Sequence, residues 1–122
     1  MSSNFRIDDR INMNDKDITM VKGDTLAFGV EIYDESGIRM DIDSAEFVCR
    51  ETYTSQNALF DKTLESGIER VSTGVYYVRV APSDTSSAEP GEYYYNFRVG
   101  VDEDVFTIFK GLLVIEAKVV GG

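Results

Sequence analysis

Apolar and polar residues alternate along most of this chain with a period of two, the spacing of strands that bury one face and solvate the other. The clearest row lies in residues 25–33, where Leu26, Phe28, Val30 and Ile32 share one side and Ala27, Gly29, Glu31 and Tyr33 the other. A first strand is predicted over 17–22, with Gly23-Asp24 as the turn between the two. Asp34-Glu35-Ser36-Gly37 is a second turn, and 38–43 reads as an irregular or edge segment in which Ile38, Met40 and Ile42 alternate with Arg39, Asp41 and Asp43. Residues 45–53 place Ala45, Phe47 and Cys49 inward and Glu46, Val48 and Arg50 outward. Short strands follow a loop at 54–57, over 59–64 and 68–72, and Thr73-Gly74 makes a hairpin turn into 75–81, whose inward row is Tyr76, Val78 and Val80.

The polar stretch 82–91 predicts one helical turn, with Ser83 or Asp84 as its cap. Residues 92–101 then set Tyr93, Tyr95, Phe97 and Val99 on one face and Tyr94, Asn96 and Arg98 on the other. After Asp102-Glu103-Asp104 a last strand spans 105–119, and its apolar phase shifts between Phe106/Ile108 and Leu113/Ile115. That shift predicts a β-bulge at or near Gly111. Residues 1–14 are weakly patterned and read as a flexible arm, or as a strand that orders only against a neighbour, ahead of a single domain over 15–120.

Seven or eight short strands with turns every eight to twelve residues predict an all-β sandwich. The apolar faces on either side of 82–91 fit a connection that crosses between two sheets. A closed barrel is the alternative, because alternation alone does not report closure. Composition agrees: Val, Ile and Thr number 30 and Tyr plus Phe 14, against 11 Leu and Ala, a balance that suits pleated surfaces over helices.

Charge narrows the partners. A net charge of −10 with 12 scattered basic residues excludes phosphate-backbone binding and adsorption to anionic lipid as expected roles. It fits a solvated acidic surface, or a cationic partner. The sequence shows no signal-peptide pattern and no apolar run of membrane-spanning length, so synthesis and folding in the cytoplasm are expected.

Candidate chemistry is sparse. Histidine is absent, which removes the usual base for a serine or thiol nucleophile and, with a single cysteine, the usual zinc ligands. Cys49 reads as a small buried hydrophobe. The carboxylates Asp34/Glu35, Asp41/Asp43 and Asp102/Glu103/Asp104 lack the spacing of a calcium loop and read as acidic turns. Neither an enzyme nor a cofactor or metal site is expected. The outward residues Tyr77 and Arg79 on one strand, with Tyr94, Asn96 and Arg98 on another, would form a Tyr/Arg/Asn partner-contact surface if those strands are neighbours. The same tyrosines equally serve as cross-strand pairs that hold a sheet together.

Three stretches carry a resemblance. They are Val21-Lys22-Gly23-Asp24-Thr25, then Pro82-Ser83-Asp84-Thr85 followed by Pro90-Gly91-Glu92-Tyr93-Tyr94-Tyr95, and residues 107–115 ending in Gly111-Leu112-Leu113-Val114-Ile115. In this order the chain resembles the immunoglobulin-like N-terminal domain of baseplate upper proteins of tailed phages, and related small phage and prophage tail proteins. Gly91-Glu92-Tyr93 also resembles a tyrosine corner. The resemblance implies an immunoglobulin-like antiparallel β-sandwich and a virion structural role in tail, baseplate or neck. It further implies other virion proteins and further copies of the same chain as partners, with the virion as destination. A surface adhesin or carbohydrate-binding module using exposed tyrosines is the second reading.

Overall fold

The computed structural model describes residues 17–34 and 36–118 in full and the backbone of 3–7. Among the described residues nine strands and one helical turn follow one another: β1 (Ser3–Ile7), β2 (Ile18–Val21), β3 (Leu26–Asp34), β4 (Ser44–Arg50), β5 (Ala58–Thr63), β6 (Ile68–Ser72), β7 (Val75–Val80), α1 (Pro82–Thr85), β8 (Gly91–Val101) and β9 (Asp104–Glu116). They form two sheets, a four-stranded one in the order β1-β3-β7-β6 and a five-stranded one in the order β2-β9-β8-β4-β5. Both sheets are open, so the sandwich holds and the barrel does not. The connection through α1 crosses from β7 in one sheet to β8 in the other. Of the arm expected over 1–14, residues 3–7 form a strand antiparallel to β3, and residues 8–14 lie outside the described residues.

One pairing departs from an antiparallel sandwich: β2 runs parallel to β9, with Ile18 opposite Leu113 and Met20 opposite Ile115. The chain between β2 and β3 passes from one sheet to the other, so β2 closes the free edge of β9 and Lys22 N–H donates to Glu116 O at 2.9 Å.

The predicted rows face the interior. Leu26, Phe28, Val30 and Ile32 from β3 and Tyr93, Tyr95, Phe97 and Val99 from β8 are all buried. Phe28 reaches across from the four-stranded sheet and meets Phe47 edge-on at 5.3 Å, and Phe97 stacks on Phe109 at 5.0 Å. Such ring pairs add about 0.5–1.5 kcal/mol beyond the area they bury. The bulge falls earlier than Gly111: the β8–β9 register slips between Phe97↔Phe109 and Arg98↔Thr107, leaving Ile108 as the extra residue. Phe109 then joins Leu113 and Ile115 on the inner face, while Gly111 keeps regular register with Tyr95. Ile38, expected to alternate with its polar neighbours, is 64% exposed: its N–H and carbonyl both bond Asp34 at the end of β3, in the turn that leads into the β3–β4 connection.

Candidate functional site

The connection through α1 organises one end of the sandwich. The helical turn starts after Ala81, and Asp84 accepts from Ala81 N–H at 2.7 Å, so Asp84 reaches back from within the turn instead of occupying the cap position. The same carboxylate holds Lys62 at 2.7 Å, both side chains being largely buried. Lys62 lies on β5, an edge strand, and an inward lysine there opposes pairing with another chain along that edge. Thr85 is buried and its Oγ1 accepts from Gly23 N–H at 3.0 Å, fastening the β2–β3 turn to the α1 connection. Tyr93 donates from its hydroxyl to Glu89 O at 2.7 Å, the local tie expected of a tyrosine corner.

The five residues expected to share a surface divide between two faces. Tyr77 and Arg79 stand on β7, Tyr94, Asn96 and Arg98 on β8, and those strands belong to different sheets. On the four-stranded sheet, Tyr77 lies opposite Gly29 and Arg79 opposite Ala27. On the five-stranded sheet, Tyr94 pairs with Arg50 and Leu112, Asn96 with Val48 and Lys110, and Arg98 with Glu46 and Thr107.

The second face is the more elaborate. Val48 points outward yet is 5% exposed. Tyr53 supplies an unexpected element: β4 ends at Arg50, whose Nη1 donates to Ser55 O and Gln56 O, and the chain turns so that the Tyr53 ring lies 4.4 Å from that of Tyr94. The Ser/Thr-rich sequence after Arg50, with Thr52 N–H donating to Ser55 Oγ, was the available signal for that turn. Asn96 Oδ1 is cut off from solvent without a hydrogen-bond partner and borders a hollow of about 30 Å³, the space of one water molecule. Beside it the Glu46 carboxyl is held above its ordinary range, first by burial and then by the neighbouring Asp61 carboxyl.

Two grooves flank this end. One, of about 520 Å³, opens between the 51–59 segment and the α1–β8 connection and includes Glu51, Glu89 and Tyr93 in its walls. The other, of about 480 Å³, includes Lys22, Lys118, Pro82 and Pro90. Among the described residues, no three His, Cys, Asp or Glu gather closely enough to hold a metal ion. The acidic turns act as backbone acceptors: Asp34 Oδ1 takes Ser36 and Ile38 N–H, Asp41 Oδ1 takes Gly74 N–H, and Asp43 Oδ2 takes Asp102 N–H. Glu35 lies outside the described residues. Cys49 is buried, and burial pushes its thiol up to about 12, far from a reactive thiolate.

No protein-family model matches the chain, and no curated protein matches it. Solved structures do. A marsupial T cell receptor is similar with a TM-score of 0.51 at 8% identity, over 93% of this chain and 52% of that one, so this chain spans about half its length. A chimeric titin Z1Z2 gives 0.48 at 13% identity, covering 95% of this chain and 96% of that one. Murine CRIg gives 0.48 at 5% identity, covering 97% and 99%. At such identities likeness speaks for architecture alone, and with the strand order above the architecture is an immunoglobulin-like β-sandwich.

Proposed function

We propose that this chain is a non-enzymatic structural component of a phage or prophage virion, in the tail, baseplate or neck, working by protein–protein contact in a repeated assembly. One observation carries the reading: the three stretches behind the resemblance to baseplate upper proteins are physically joined. Gly23 N–H bonds Thr85 Oγ1, and in the β8–β9 pair Gly91 lies opposite Ile115 and Tyr95 opposite Gly111. Motifs far apart in the chain thus build one continuous end of the sandwich.

The contact surface in this reading is the outer face of the five-stranded sheet, with Tyr94 under Tyr53, then Asn96 and Arg98. Tyrosine on a firm sheet offers contact area at low entropic cost, and arginine is enriched with it where proteins meet. The partners are other virion proteins and further copies of the chain, assembled after synthesis in the bacterial host cytoplasm. Particles purified from a strain carrying the gene should contain the chain by mass spectrometry, in a fixed ratio to the major tail proteins. Its absence from intact, infectious particles overturns the reading.

A glycan-binding role is the second reading, favoured by one feature: Tyr53 is 56% exposed above Tyr94 and offers a ring on which a sugar can stack. Tyr77 stands on the opposite sheet and cannot share that site. Glycan-array binding abolished by Tyr53→Ala would support this role, and a blank array removes it.

A further inference from the structure

The groove between the 51–59 segment and the α1–β8 connection has a chemistry the proposed contact face does not use. Its lining is mixed: Ala88, 4% exposed, and Tyr93, 6% exposed, lie with Ala58 and Leu59, and Ser55, Gln56, Asn57 and Ser87 add polar groups. Its rim carries Glu51 and Glu89, one from each wall, and no lysine or arginine lines it. Neither carboxylate has an ion-pair partner among the described residues. Both lie close enough to the Tyr93 hydroxyl to make its ionisation harder, behind the larger effect of burial. Glu51 and Glu89 stand on opposite walls of one cleft.

The walls are firmly held. Arg50 Nη1 donates to Ser55 O at 3.1 Å and to Gln56 O at 2.9 Å, which fixes one wall. Tyr93 fixes the other through Glu89 O at 2.7 Å. A volume of about 520 Å³ is in the range of ligand-binding clefts.

We propose that this groove receives an arginine side chain of a partner polypeptide, its methylene stem lying on Ala58, Leu59 and Ala88 and its guanidinium between Glu51 and Glu89. The planar guanidinium offers donors on several sides and is less strongly hydrated than an ammonium, which suits two carboxylates set beside apolar side chains and neutral polar groups. Charge complementarity points the same way: the chain carries −10 overall, while the companion groove with Lys22 and Lys118 has the opposite local character. A cationic partner is drawn to the molecule as a whole and sorted between two similar grooves by their local charge.

The source of the arginine rests on the protein-contact reading, but the groove is testable without it. The ¹⁵N-labelled chain is titrated with acetyl-Gly-Arg-Gly-amide, and with the same tripeptide carrying citrulline or lysine. Saturable shifts confined to amides of 51–59 and 86–93 are expected for the arginine peptide, with binding at least ten-fold weaker for the other two. Glu51→Gln with Glu89→Gln should weaken arginine binding at least ten-fold, while Glu69→Gln on β6 leaves it unchanged. Shifts scattered over all acidic surfaces, equal binding of citrulline or lysine, or no saturable shift would each overturn the proposal. None of these results bears on whether the chain is found in virions, so the two readings fail separately.

Discussion

In each sheet a buried tyrosine reaches out of the core to tie a loop, and the two ties, at Tyr76 and Tyr93, are built differently. Tyr76 on β7 is 2% exposed; its hydroxyl accepts from Ile42 N–H at 3.0 Å and donates to Asp41 Oδ1 at 3.3 Å. Asp41 in turn holds Arg70 Nε at 3.1 Å and Gly74 N–H at 2.9 Å, so this tie belongs to a charged network binding the β3–β4 connection to the β6–β7 hairpin. Tyr93 on β8 donates to the backbone oxygen of Glu89, a residue that is itself exposed. The lesson concerns what is stranded when a hydroxyl is lost. Ile42 is 7% exposed, and its amide has nowhere else to turn. Glu89 O can exchange the tyrosine for water.

Tyr76→Phe should therefore have the largest effect, lowering stability by about 2 kcal/mol, because it leaves a buried donor unsatisfied. Tyr93→Phe should cost about 1 kcal/mol, the net value of an ordinary hydrogen bond. Urea denaturation at neutral pH followed by circular dichroism measures both. Equal losses, or a greater loss for Tyr93→Phe, would break the distinction between the two ties.

Much of this interior was readable in the sequence, since alternation reports the pleat directly: the rows through Leu26–Ile32 and Tyr93–Val99 face inward as expected. Alternation says which side a residue faces and nothing about which strand lies beside it. Hence Tyr77/Arg79 and Tyr94/Asn96/Arg98, each correctly outward, ended on opposite faces once α1 carried the chain across the sandwich. The bulge was visible as a phase shift but not its position, because Gly111 tolerates a bulge and Ile108 actually holds it. Tyr53 was hidden for a related reason. Parity extended from Ala45 and Phe47 aims it inward, yet Arg50 grips Ser55 O and Gln56 O and the strand ends three residues earlier. The groove was unreadable, since Glu51 and Glu89 come to line one cleft only through the folding of two distant connections.

Acid separates the two regions next. At the Tyr76 tie, the Asp41 carboxyl is held below its ordinary value of 3.8, first by Arg70 and then by the Gly74 amide. A depressed folded pKa means the unfolded chain binds the proton more readily, so this stabilisation is complete above 3.8 and is lost as pH falls through the folded value. Asp41→Asn should lower the melting temperature at pH 7 by less than Tyr76→Phe does. It should also flatten the decline of stability below pH 3.8. An acid limb of the wild-type slope in the variant would show that the network carries no proton linkage.

The smallest expected effect has the opposite sign and belongs to the five-stranded sheet. Glu46 sits on β4 opposite Arg98 of β8 and Thr63 of β5, with Asp61 of β5 two pairs along and Arg50 further up its own strand. Its carboxyl is raised above the ordinary value of 4.5 by burial and then by Asp61, an effect the two arginines only partly offset. With a raised folded pKa the folded state binds the proton more tightly, so this group favours folding at low pH. The benefit fades as pH rises from 4.5 through the folded value. Glu46→Gln removes the charge that the site resists, so the variant should be slightly more stable than wild type at pH 7 and indistinguishable from it below pH 4. Partial exposure keeps the gain small, because solvent screens the Glu46–Asp61 repulsion. Melting curves across this range decide the matter: a variant less stable at pH 7 would mean that attraction to Arg98 and Arg50 outweighs burial and Asp61, and the two sheets would then respond to acid alike.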